Sequence, residues 1–93
     1  MHFTYVLQSV KVGKWYAGMS GDLRMRMAQH EKGQVESTRS RRPLRLVYYE
    51  ACLTAEDAHR RESYLKTGRG KKFLRQRLSS WIATAETNQL ERE

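Results

Sequence analysis

The chain has 93 residues, 39% of them hydrophobic, and a mean hydropathy of -0.83, which leaves room for one compact domain with a small core and a heavily charged surface. Eighteen Lys and Arg against ten Asp and Glu give a net charge of +8 and a pI near 10.1, a field that draws polyanions, so nucleic acid is the expected partner. The lone Cys52 excludes an intramolecular disulfide and a paired-cysteine zinc site; no stretch approaches the ~20 apolar residues of a membrane span and the N-terminus lacks a signal-peptide pattern, so a cytoplasmic location is expected.

Phe3 to Ser9, rich in aromatic and branched residues, predicts a strand, and Lys11-Val12-Gly13-Lys14 a glycine-bearing turn into a second strand from Trp15 to Gly18. Ser20 is placed to cap a helix over roughly 22 to 32, which Gly33 ends in a left-handed conformation. From Gln34 to Arg45 the serines, threonine and four arginines predict an exposed basic loop that adds nothing to a core. Leu46 to Tyr49 predicts a third strand, and Thr54-Ala55-Glu56-Asp57 a capped start to a second helix that stops near Gly68. Beyond Gly70, the spacing of Leu74, Leu78, Trp81 and Ile82 predicts a third helix with a basic outer face, lying on the sheet. The expected division is a domain over 1–83 and a polar tail over 84–93.

The helical stripes carry polar residues where apolar ones belong. With Leu23 at 0° and 100° per residue, Met27 falls at about 40°, His30 at about 340° and Arg26 at about 300°. A guanidinium and an imidazole on that side need partners, because burying an unpaired charge costs several kcal/mol. In the second helix Glu62 intrudes on the stripe of Ala55, Ala58 and Leu65. Structural roles would be a salt bridge between Glu62 and Arg26 and a hydrogen-bonded core position for His30; a functional role for Glu62 would be ligation of a hard cation. Tyr5 and Tyr16, on the two strands of the hairpin, complete a set of groups suited to a phosphodiesterase site.

Phe3-Thr4-Tyr5, followed by Val6-Leu7, and Tyr16-Ala17-Gly18 resemble the two motifs of the GIY-YIG nuclease superfamily, and Arg26 and His30 follow Tyr16 by ten and fourteen residues as that family's helical Arg and His do. Arg42-Pro43-Leu44-Arg45-Leu46-Val47-Tyr48-Tyr49-Glu50 and Arg61-Glu62-Ser63-Tyr64-Leu65-Lys66-Thr67-Gly68 look like signatures of its short stand-alone bacterial members. The likeness covers roughly residues 3 to 78. It departs at Phe3-Thr4 for Gly-Ile, at Ala17 for Ile, and at Met19-Ser20, where a Thr often follows the glycine; none of these removes a chemical group.

The resemblance implies an α/β (α+β) fold, with a small three-stranded antiparallel or mixed sheet flanked by helices, and a metal-dependent endonuclease acting on DNA. Its catalytic residues would be Tyr5, Tyr16, Arg26, His30 and Glu62. Glu62 would hold one Mg²⁺ or Mn²⁺, Arg26 would bind the scissile phosphate, and the two tyrosines would orient and deprotonate water with His30 as relay. A free phenol is only about 0.1% ionised at pH 7, so either tyrosine needs cationic help to act as a base. Arg39, Arg41, Arg42, Lys66, Arg69, Lys71 and Lys72 are expected to hold the nucleic acid backbone, whether single-stranded, branched or duplex, in a monomer or weak homodimer. The alternative is a nucleic-acid-binding accessory module, for DNA or RNA, without catalysis.

Overall fold

The computed structural model describes residues 1–84; apart from Thr84, the tail expected at 84–93 lies outside the described residues. Three strands, β1 (His2–Ser9), β2 (Trp15–Ser20) and β3 (Leu44–Cys52), form an antiparallel sheet in the order β2-β1-β3. β1 is central, which is why Thr4, Tyr5, Val6 and Leu7 are all buried: alternate side chains point to opposite faces and both faces are covered. The hairpin turn forms as expected, with Gly13 at φ 77° and its N–H donating to the Ser9 carbonyl at 2.7 Å. β3 is longer than the sequence suggests and carries a bulge at Val47, since Val6 faces Tyr48 while Leu7 faces Leu46.

The first helix, α1 (Leu23–Glu31), is capped by Asp22 rather than Ser20: the Asp22 carboxylate accepts from the Met25 N–H at 3.0 Å, and the Ser20 hydroxyl instead accepts from the Asp22 N–H. Gly33, at φ 77°, turns the chain out of the helix as its position predicts. The expected loop after it contains a short helix, α2 (Glu36–Arg39), and Thr38 within it is 1% exposed, so this polar segment does contribute a buried side chain. The Arg42–Pro43 peptide that follows is cis. α3 (Ala55–Leu65) starts where Thr54 Oγ1 accepts from the Asp57 N–H at 3.2 Å.

The two faces of the sheet are served by different helices. Thr4 donates its hydroxyl proton to the Ala58 carbonyl of α3 at 2.8 Å, while Tyr5, on the opposite face, reaches α1. Glu50, across from Thr4 in the register, binds Arg61 of α3 through both carboxylate oxygens and accepts from the Tyr48 hydroxyl at 2.7 Å. Burial alone would raise the Glu50 pKa, but the hydrogen bonds from Arg61 and Tyr48 and the Arg61 charge outweigh it and hold the carboxyl below its ordinary value.

The chain divides into two compact units, Met1 to Ser63 and Tyr64 onward. In the second, α4 (Gly68–Arg77) begins two residues before Gly70, capped by Thr67, whose Oγ1 accepts from the Gly70 N–H at 3.1 Å. Gly70 is a packing residue: a Cβ there would stand 2.0 Å from the Tyr64 carbonyl oxygen. Tyr64 and Phe73 meet with ring centroids 6.4 Å apart, Leu65 and Leu74 are buried, and helix resumes over 79–84.

Candidate functional site

The side chains that break the apolar stripe of α1 are joined into one hydrogen-bonded chain. Arg26 Nε donates to Tyr5 Oη at 3.3 Å, Tyr5 Oη lies 2.8 Å from His30 Nε2, and His30 Nδ1 lies 2.7 Å from Thr38 Oγ1. We assign the Tyr5 proton to His30 Nε2, the phenol being a better donor than a second-time acceptor beside Arg26, which makes His30 the Nδ1–H tautomer facing Thr38. Among the described residues no buried side-chain polar atom lacks a partner. Arg26 is further steadied by donating from Nη1 to Gln29 Oε1 at 3.1 Å.

Position in the fold explains the second motif. Gly18 faces Tyr5 across the β1–β2 pair, and a Cβ on it would come within 2.5 Å of both Cζ and Oη of the tyrosine. Only a residue without a side chain lets the buried Tyr5 ring lie over β2 and reach α1. Tyr16, paired with Leu7 two residues away, shares that face; its ring carries the Lys14 ammonium 6.0 Å from its centroid.

Electrostatics make Tyr5 and His30 neutral hydrogen-bonding groups. Burial raises the Tyr5 pKa above 10.0; hydrogen bonding and charge from Arg26 pull it down without cancelling the rise, and the negative charge of Glu62 adds to it. Burial lowers the His30 pKa below 6.5, and the Arg26 charge lowers it further. A phenol with a raised pKa keeps its proton at neutral pH.

Tyr5, Arg26 and His30 are thus brought together. Thr38 and Gln29 belong with them although the sequence reading assigned them no role, Thr38 because its surroundings look like solvent-exposed loop. The salt bridge weighed for Glu62 and Arg26 gives way to other partners: the Glu62 carboxylate lies 3.7 Å from His59 Nδ1, and the described hydrogen bonds of Arg26 go to Tyr5 and Gln29. The bidentate carboxylate pairing belongs to Arg61 and Glu50. Arg39, Arg41 and Arg42 are exposed on and after α2, and Lys66, Arg69, Lys71 and Lys72 are exposed in the second unit.

The family model described as the GIY-YIG catalytic domain matches residues 1–76, and the three-stranded antiparallel sheet flanked by helices fits that fold. The chain belongs to the GIY-YIG family. Within it the chain is similar to a UPF0213 protein of Bacillus pumilus (strain SAFR-032), 39% identical over 72 residues that cover 76% of this chain and 72% of the relative. A UPF0213 protein of Staphylococcus aureus (strain Mu3 / ATCC 700698) is 37% identical over 75 residues, 80% of this chain and 90% of its own. The solution NMR structure of a UPF0213 protein from Bacillus halodurans is 37% identical, with a TM-score of 0.49 over 78% of this chain and 80% of that one.

These relatives correct the expected activity. The Bacillus pumilus and Staphylococcus aureus relatives belong to the uncharacterised UPF0213 proteins, and neither name carries a nuclease. Among the described residues no three His, Cys, Asp or Glu side chains gather as cation ligands. The endonuclease, hydrolase and metal-binding assignments are therefore withdrawn. No helix among the described residues is long and apolar enough to cross a membrane.

Proposed function

We propose that the chain is a non-catalytic nucleic-acid-binding module that holds the phosphate backbone. The observation that carries this reading is charge segregation: residues 37–45 hold four arginines and residues 64–84 six lysines and arginines, with no Asp or Glu in either segment. In α4, Lys71, Arg75, Lys72 and Arg69 follow one another around an arc of about 160° on the side away from buried Leu74. Among the described residues none of Arg39, Arg41, Arg42, Arg69, Lys71 and Lys72 is ion-paired, so each has its charge available to a polyanion. In unit one, Arg26 is a phosphate contact held in orientation by Tyr5, His30 and Gln29, with Tyr16 alongside on the sheet. The free Cys52 suits a reducing, cytoplasmic setting.

Binding of fluorescent DNA and RNA oligonucleotides tests this. Affinity should fall steeply between about 50 and 200 mM salt, with a slope of about −0.7 per phosphate contact on a single strand. The oligonucleotide should be recovered intact, Mg²⁺ or Mn²⁺ should act only as competing counterions, and Glu62→Gln should bind like the parent. Metal-dependent cutting that disappears in Glu62→Gln, or affinity indifferent to salt, overturns the proposal.

A further inference from the structure

Beside the relay, on the Tyr5 face of the sheet, unit one contains a groove of about 550 Å³, within the roughly 300–1,000 Å³ range of small-ligand sites. Leu7 of β1, Met27 of α1 and Pro43, Leu44 and Leu46 at the start of β3 make its apolar lining. His30 also lines it; with Nε2 and Nδ1 committed to Tyr5 and Thr38, what the imidazole offers a guest is its carbon surface.

Two exposed charged residues complete the lining, Glu31 and Arg42. Arg42 is unusual in being fixed: Nε donates to the Arg39 carbonyl at 3.0 Å and Nη1 to the Glu31 carbonyl at 3.3 Å. A Cβ on Gly33 would fall 2.7 Å from its Cζ, so one face of the guanidinium plane is laid flat against the Gly33 backbone. A guanidinium plane held in this way has its other face for stacking, the manner in which arginine receives unpaired bases.

We propose that this groove takes an unpaired nucleobase of single-stranded nucleic acid, a deepening of the binding function proposed above and resting on it. The occupant follows from the combination of features. An apolar lining and a fixed guanidinium plane suit a flat ring; the acid-free run from Arg39 to Arg45, which passes through the groove lining at Arg42 to Leu44, suits the phosphates on either side of it. Glu31 is the one acid in the lining, and its carboxylate is an acceptor for base N–H groups. A duplex, whose bases are stacked and paired, presents no such ring.

The test compares a thymidine oligonucleotide of about a dozen residues with an abasic oligomer of the same length and charge, by fluorescence anisotropy. The corresponding uridine oligomer distinguishes DNA from RNA as the source of the base. The base-bearing strand should bind about tenfold more tightly than the abasic one, the size of a single base-stacking contact. It should also shift the methyl NMR signals of Met27, Leu44 and Leu46, leaving Leu53, 83% exposed and outside the groove lining, unmoved. Equal affinity for the two strands, or shifts that spare the groove methyls, overturns the base site while leaving backbone binding intact. Failure of both strands to bind removes the binding function and the base site together.

Discussion

Replacing Gly18 by Ala isolates the packing on which the relay depends. The added methyl carbon would stand 2.5 Å from Tyr5 Cζ and Oη and 3.0 Å from Cε1, against a ring that is 2% exposed and tied to both His30 and Arg26. Overpacking of this kind costs about 1–3 kcal/mol, and tilting the phenol out of its hydrogen bonds adds about 1 kcal/mol. The reduced freedom of the unfolded chain returns about 0.4–1 kcal/mol. A net loss of about 2 kcal/mol corresponds, in a domain of this size, to a fall in Tm of roughly 10 °C. Thermal unfolding followed by circular dichroism measures it. A double-mutant cycle with Tyr5→Phe supplies the discriminating value, because removing the hydroxyl removes one of the two closest clashes and should give a coupling of about 1 kcal/mol. A Gly18→Ala protein as stable as the parent, or effects that add with no coupling, would refute the role given to this glycine.

Of three further predictions, two concern the same network and one the Glu50 cluster on the opposite face of the sheet. Thr38→Val should leave a buried imidazole N–H without an acceptor and destabilise by about 1–3 kcal/mol in urea unfolding, with Thr38→Ser recovering much of the loss; equal stability of Val and Ser variants would count against the hydrogen bond. Because burial and Arg26 depress the His30 pKa, the folded state binds fewer protons than the unfolded one. The associated stability is fully present above pH 6.5 and is lost as pH falls from 6.5 through the folded-state value; imidazole ¹⁵N NMR should show a ring less than half protonated at pH 6.5, and a half-protonated ring there would contradict it. The Glu50 carboxyl, lowered by Arg61 and Tyr48 against its own burial, contributes stability above pH 4.5 that disappears as pH falls through its folded-state value, so Glu50→Gln should flatten the acid limb of a Tm-against-pH profile.

Much of the fold is legible in the chain. Aromatic and branched runs mark β1 and β2, Thr54 marks the start of α3, and Gly33 marks the exit from α1. The anomaly of Arg26 and His30 on an apolar stripe also points correctly at a buried polar cluster. Thr38 is not legible, because its burial comes from one long-range hydrogen bond in a segment whose composition is otherwise that of a solvated loop. The partner of Arg61 is hidden for a related reason: Glu50 and Arg61 meet because Thr4 and Glu50 share the sheet face that α3 covers, a fact of register and not of local spacing. Gly70, which the apolar spacing puts ahead of the last helix, lies inside α4, and its close approach to the Tyr64 carbonyl is not visible in local spacing. Activity was the least legible property, since Tyr5, Gly18 and His30 also hold up the fold, and the same residues serve packing and chemistry alike.

The acid-free stretch from Tyr64 to Thr84 has an energetic consequence of its own. Its six cations repel one another at every separation shorter than the Debye length, and the described apolar residues opposing that repulsion include Leu65 and Leu74 with the Tyr64–Phe73 ring pair. Repulsion of this kind is relieved by anything that brings negative charge to the helix, so α4 stores as internal tension the free energy that a polyanion releases on arrival. Under the proposed function its helical order would be linked to occupancy: a phosphate backbone lying along Arg69, Lys72 and Arg75 would act as the counter-strand that the amino-acid sequence omits.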